Sequence, residues 1–432
     1  MRLNTAQAIP KVFTHECAPA TRITPEQALR RSVLSCLLWE REFYEDGQDI
    51  ASRILSLADE VPAPVLGALA EEARSKFHLR HVPLLLLTAL VKRGGAGIAD
   101  AVAATIQRPD EMAELLSIYW RDGKRPLAKQ LQRGLAQAFV KFDEYALAKY
   151  DRDGPIRLRD VLFLSHAKPA DDAQAALFKR VADRQLATPD TWEVALSGGA
   201  DKRATFTRML NEGSLGYLAL LRNLRNMTDA GVDRDLIGAA IVARKGAARV
   251  LPFRYVAAAR ACPQMEPWID QALCEAIAAG KPLPGATIVL VDVSGSMDVR
   301  MSAKSDLTRL DAAAALASVI PGNVRVFTFS NQVVEVPPRR GMAGVDAVVK
   351  SQPHGGTYLG AAVQAVQTIA HDRLIVITDE QSADRVPDPV ARQAYMINVA
   401  SARNGIGYGR WTHIDGFSEA VLTFIREAES DR

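Results

Sequence analysis

The sequence predicts two domains of different class, an α-helical repeat module over residues 1–282 and a doubly wound, Rossmann-like α/β domain over residues 283–432. Three observations carry this. The length of 432 residues exceeds the roughly 250–300 that a single hydrophobic core usually supports. Up to about Gly280, apolar residues recur at helical spacing with almost no alternating apolar-polar runs. Beyond Lys281-Pro282-Leu283-Pro284-Gly285, β-branched runs alternate with helical patterns, as in an open parallel sheet.

The helical stretches follow one another with Gly, Pro or Asp punctuation. The first opens at Thr24, an expected N-cap, with Pro25 at the favoured first position, and runs through Leu29, Val33, Leu34 and Leu37. Others are expected at 64–77, 83–93, 127–150, 156–165, 173–185, 215–227, 248–260 and 266–279. Helices of this length with short links suggest stacked pairs in an α-solenoid, without a fixed repeat period. After the Pro-Gly stop, 286–293 (ATIVLVDV) is a run of the kind buried on both faces of a parallel sheet. Strands are also expected at 324–329, 373–378 and, more weakly, 394–399, with helices at 308–319, 344–350, 359–370 and 417–428.

The composition is that of an ordinary globular protein, 48% hydrophobic and 24% charged, which excludes disorder, collagen and coiled coil for the chain as a whole. The net charge of +3 divides into +5 (39 Lys/Arg, 34 Asp/Glu) up to Pro282 and −2 (14 against 16) beyond it. Neither half has the strong basicity of a sequence-independent duplex binder, so a nucleic-acid role requires a local patch. Cys17, Cys36, Cys262 and Cys274 form no CxxC pair or zinc-like spacing, and no signal peptide or membrane-length apolar run is evident. These features predict a cytoplasmic protein without disulfides or a membrane partner.

The strongest chemical signal lies at three loops on the edge where doubly wound sheets bind ligands. The first expected strand ends in Asp292-Val293-Ser294-Gly295-Ser296, the loop His354-Gly355-Gly356-Thr357 precedes a helix, and Thr378-Asp379-Glu380 stands at the tip of another strand. Carboxylate and hydroxyl oxygens converging on one point suit a hard divalent cation, probed most simply as Mg²⁺. Two other readings stay open here: turn-capping by these residues, and a phosphoryl nucleophile at Asp292.

DVSGSM after a buried strand, then GGT, then ITD resembles the metal-ion-dependent adhesion site of von Willebrand factor A domains. The resemblance implies a cation site formed by Asp292, Ser294, Ser296, Thr357 and Asp379. The amino-terminal passages LLWEREFYEDG (37–47), LFLSHAKP (162–169), LLRNLRNM (220–227) and LPFRY (251–255) resemble the TROVE module of the Ro ribonucleoprotein family, in its bacterial type. That family carries an A domain directly behind the module. The resemblance implies a ring of HEAT-like helical repeats closed by the A domain, an outer basic surface for Y RNA-like small RNAs, and a central hole for ends of misfolded RNA.

RNA binding by such a scaffold needs Lys and Arg for phosphates and His or aromatic rings for stacking. The best local cluster contains Lys141, Lys149, Arg152, Arg157, Arg159, His166 and Lys168, in which Lys149 and His166 match the family's RNA surface. Asp151 and Asp153 interrupt it where relatives are more basic. A second group is Arg74, Lys76, His78, Arg80, His81, Lys92 and Arg93. Arg222, Arg225, Arg244, Lys245, Arg249 and Arg254 form a third. The bland reading of each group is a solvated helix face. The sequence thus predicts a monomeric, non-catalytic RNA-binding protein acting in RNA quality control, with an exoribonuclease or other processing protein as possible partner. The alternative is a scaffold whose A domain recruits an acidic partner through the cation.

Overall fold

The protein is seen in a computed structural model that describes residues 12–14, 16–20, 23–34, 47–77, 79–151, 153–250, 252–300, 307–399, 405–407, 409–415 and 420–430. The passage at 37–46, together with Arg152, His78 and Leu251, lies outside the described residues.

Among the described residues seventeen α-helices precede the sheet, from Pro25–Leu34 to Glu266–Ala278. Local chemistry sets their ends. Thr24 caps the first helix as expected: its Oγ1 accepts from the Gln27 backbone N–H at 3.2 Å, and Gln27 Oε1 accepts from the Thr24 N–H at 2.9 Å. The stretch expected at 127–150 divides into Lys129–Phe139 and Glu144–Tyr150, because the Asp143 carboxylate accepts from the Ala146 N–H at 2.7 Å and starts a new helix. The stretch at 215–227 likewise divides at Asn223, whose side chain donates to the Ala219 carbonyl at 2.9 Å. That bond answers one question about LLRNLRNM, since Asn223 is buried and satisfies backbone.

The helices pack closely enough that single atoms matter. Gly134, in Lys129–Phe139, faces the helix Ile98–Thr105, and a Cβ there would stand 2.7 Å from both the Ala99 carbonyl oxygen and Val102 Cβ. Gly134→Ala is therefore expected to destabilise the protein by about 1–3 kcal/mol through overpacking, although Ala is the better helix former. Urea unfolding measures it, and an unchanged midpoint would refute the contact.

Six strands follow: β1 Leu283–Asp292, β2 Gly322–Phe329, β3 Val333–Val336, β4 Arg373–Thr378, β5 Gln393–Asn398 and β6 Thr412–Asp415. Their order in the sheet is β3-β2-β1-β4-β5-β6, with only β3 antiparallel. The chain reverses direction at β1/β4, so the carboxyl ends of those two strands open a crevice. The short edge strands β3 and β6 were not legible in the sequence.

Three apolar cores hold the molecule. One fills the first ten helices, and another lies under the sheet face covered by Leu359–Gln367. The third is continuous from Phe206 and Met227 through Ile269 and Ile277 to Val289, Val291 and Leu310, so the last helices before the sheet and the α/β unit share one interior. At the opposite end the first helix and the segment before it also reach the α/β unit. Thr14 donates to the Ser382 carbonyl at 2.8 Å, and the Arg31 guanidinium donates to Glu380 at 2.8 Å. The helical arc therefore closes onto the α/β unit at both ends. No helix among the described residues is long and apolar enough to cross a membrane.

Candidate functional site

The three sequence-identified loops meet at the crevice. Asp292 is the last residue of β1 and wholly buried; its Oδ1 accepts from the Ser294 N–H at 2.9 Å and its Oδ2 from the Thr378 hydroxyl at 2.6 Å. Ser294 Oγ lies 3.2 Å from Ser296 Oγ. The Gly295 N–H donates to the Gly355 carbonyl at 3.0 Å, tying the first loop to the second, and Ser330 Oγ accepts from the Gly355 N–H at 2.7 Å. Thr357 is buried and its carbonyl accepts from the Ala383 N–H at 2.8 Å, tying the second loop to the third. Asp379 is wholly buried at the start of that third loop.

Burial, and then the neighbouring Asp379 carboxylate, push the Asp292 carboxyl up to about 7 against the hydrogen bonds from Ser294 and Thr378. Two carboxylates in one dry crevice are costly without a cation. Among the described residues no group of three or more His, Cys, Asp or Glu side chains gathers as a metal cluster, so any cation in the crevice would meet two carboxylates and otherwise hydroxyl oxygens. An all-oxygen set of low charge fits a hard divalent ion that keeps waters, and does not fit zinc. Arg309, buried at the start of the helix Arg309–Ser318, is also within electrostatic reach of Asp379, and burial lowers its affinity for its proton.

Next to Asp379, Glu380 forms a feature that sequence reasoning missed. Its backbone is left-handed, with φ of 62°, and its side chain is wholly buried. It accepts from Arg31 at 2.8 Å and from the Gly407 N–H at 2.8 Å, and it contacts His413 of β6. Burial alone would raise the Glu380 carboxyl, but the charges of Arg31 and His413 hold it far below the usual carboxylate range. Nothing in the local sequence distinguishes Arg31 from the half-exposed Arg30 beside it, because its partner is 349 residues away.

The basic groups fare differently from one another. Most of the second is consumed by structure: Arg74 pairs with buried Glu111 at 2.8 Å, Arg80 with Asp110 at 2.7 Å, Lys92 with Asp122 at 3.0 Å, and Arg93 donates to the Ala58 carbonyl at 2.9 Å. In the first group, Lys141 donates to the Ile106 carbonyl at 2.6 Å and caps a helix, and Arg157 pairs with Asp153 at 2.8 Å. Arg159, Phe163 and His166 stay exposed along one face of the helix Leu158–Ser165 and its C-cap, as does Lys168 just beyond. Lys149 lies over the Tyr145 ring at 5.8 Å, and Arg159 over the Phe163 ring at 5.6 Å. Tyr145 and Phe163, each 53% exposed, were not singled out in the sequence, though exposed aromatics beside cations are the signal that could have found them. In the third group, Arg222 and Arg225 are exposed, and Arg225 Nε donates to the Ala261 carbonyl at 3.2 Å.

The comparisons with known proteins agree with this architecture. The TROVE domain family matches residues 159–272, and the von Willebrand factor type A domain family matches residues 287–381. A similar solved structure is the crystal structure of the Deinococcus radiodurans Ro (Rsr) protein, with a TM-score of 0.62 and 18% identity, covering 94% of this chain and 100% of that one. None of the curated proteins matches the chain. The two matched regions stand in the order TROVE domain, then von Willebrand factor type A domain, on either side of the Pro282–Gly285 junction. The likeness to that solved structure gives this chain the same fold.

Proposed function

We propose that the protein binds small structured, Y RNA-like RNA without catalysing a reaction on it, and serves RNA quality control or processing alongside an exoribonuclease or similar enzyme. The observation that carries this reading is the exposed run of Arg159, Phe163, His166 and Lys168, with half-buried Lys149 over the exposed Tyr145 ring, so that cations for phosphates stand beside rings for unpaired bases. Neither Lys149 nor Lys168 has a carboxylate partner among the described residues, whereas Arg30, Arg74, Arg80, Arg180 and Arg208 each do. The proposed domains are 1–282 for RNA and 283–432 for the cation, and the proposed cation is Mg²⁺ on Asp292, Ser294, Ser296, Thr357 and Asp379. When bound, the ion would supply an open coordination position for an acidic group. This chain's own residues orient the donors and keep the crevice dry.

A filter-binding titration with a structured hairpin RNA tests the reading. The logarithm of the affinity should fall linearly with log salt, and Lys149→Ala should weaken binding and reduce the slope by about 1, with the melting temperature unchanged. Affinity independent of salt would refute RNA binding, and an unchanged slope would remove Lys149 from the surface. Sequencing of copurifying RNA names the ligand.

A further inference from the structure

At the amino end of the sheet, opposite the cation crevice, β2 is left with an open edge. β3 covers β2 only over Val326–Phe329, pairing with it from Val336 back to Val333. Continuing that register would set Pro337 opposite Arg325 and Pro338 opposite Val324, and proline has no N–H to give a ladder. The chain instead turns away, the Arg339 N–H donating to the Pro337 carbonyl at 2.8 Å. Residues Gly322 to Arg325 therefore pair with β1 on one side and, among the described residues, with no strand on the other. Gly322, Asn323 and Arg325 are exposed accordingly.

A cavity of about 540 Å³ opens beside this edge, between β2, the turn at 337–340 and the helices Glu266–Ala278, Arg309–Ser318 and Gly341–Val349. Its apolar lining includes Ile277, Ile320, Val324, Val336 and Val348. Arg339 and Arg340 also line it; both are exposed, and neither has a carboxylate partner among the described residues. Arg325 differs, because its charge is matched by Glu335 at 2.7 Å, and Glu335 is the single acid in the lining. Two uncompensated positive charges thus stand at an apolar cavity whose wall is an unpaired strand edge.

An extended acidic peptide matches all three features. An open edge offers backbone groups to an added strand, a cavity beside it takes apolar side chains, and free guanidinium groups take carboxylates. Nucleic acid matches less well, since none of the lining residues is aromatic and an unpaired base would find no ring to stack on. We propose that an extended segment of a partner protein, rich in Asp or Glu and aliphatic residues, docks here as an added strand along residues 322–325. Its apolar side chains fill the cavity and its carboxylates meet Arg339 and Arg340. The proposal goes beyond the RNA surface at Lys149 and does not depend on it.

Fluorescence anisotropy of a fluorescein-labelled acetyl-EVEVEVE-amide peptide, titrated with the full chain in EDTA so that no divalent cation can recruit it to the crevice, tests the proposal. The peptide should bind saturably, at least tenfold more tightly than its KVKVKVK counterpart, and more weakly as salt rises. Arg339→Glu/Arg340→Glu should lose at least tenfold in peptide affinity with an unchanged melting temperature, since both side chains are exposed. Methylating every valine amide in one peptide and every glutamate amide in another should abolish binding in only one of them, because successive residues of an added strand turn their N–H groups to opposite sides. No binding of the acidic peptide, equal binding of the two peptides, or an unchanged affinity in the double variant overturns the proposal. Equal loss in both methylated peptides overturns strand addition. Displacement of the peptide by a hairpin RNA whose own affinity falls in the same variant would give the surface to RNA and overturn the proposal too. Lys149→Ala should leave peptide affinity within about twofold while lowering that for the hairpin, which separates this surface from the proposed RNA face.

Discussion

Arg31→Met is expected to lower the stability of the protein by about 3–5 kcal/mol, the cost of leaving one member of a buried ion pair without its partner. Arg31 and Glu380 have side chains 1% and 0% exposed and lie 2.8 Å apart, and the substitution would leave the Glu380 charge with His413 and the Gly407 amide alone. Denaturant unfolding of the full chain measures the loss. The double variant Arg31→Met/Glu380→Gln should recover much of it, because the stranded charge is then gone. A loss below about 1 kcal/mol in the single variant would show that the pair does not close the structure. Since Arg31 belongs to the first helix and Glu380 to the A domain, the same variant should expose the first helix to proteolysis before the rest unfolds.

The second large effect concerns the crevice. The Asp292 carboxyl titrates near 7 in the folded protein, above its value in an unfolded chain. A group raised in this way contributes stability that is fully present below the unfolded value near pH 4 and is lost as pH rises through about 7. The cation-free protein should therefore weaken between about pH 4 and 8 on account of this group, and Asp292→Asn should remove that dependence and stabilise the cation-free form at pH 8. Mg²⁺ has the opposite dependence on the variant. At a hundred times its dissociation constant it should stabilise the unaltered protein by about 2.7 kcal/mol and leave Asp292→Asn unmoved. Stabilisation by Mg²⁺ of both proteins alike would refute the site. RNA affinity should survive Asp292→Asn, because the proposed RNA surface lies on the helices; its loss in a folded variant would favour a scaffold in which the cation recruits the partner.

Much of this architecture is legible in the chain because the signals are local. The β1 run 286–293 is apolar at nearly every position because a central parallel strand is buried on both faces, and the structure extends it only to Leu283–Asp292. Asp292, Ser294 and Ser296 lie on one loop and announce themselves by spacing, and Thr357 and Asp379 by their places beside a helix and a strand. By contrast, β3 and β6 have four residues each and are set by their neighbours in the sheet. The basic groups were least legible. Arg74, Arg80, Lys141, Arg159 and Arg222 look alike in sequence, yet the first three are bound to carboxylates or carbonyls contributed by other helices.

By itself, then, the sequence determined the two fold classes and pointed to the oxygen-rich loops, since periodicity and loop spacing are encoded within a few residues of each other. Only the tertiary structure decided which cations are free to meet an anion, and that the first helix locks onto the A domain through Arg31 and Glu380. The physical reason is that a charge is spent or kept according to what stands within about 4 Å of it, and for Arg31 that neighbour lies 349 residues along the chain.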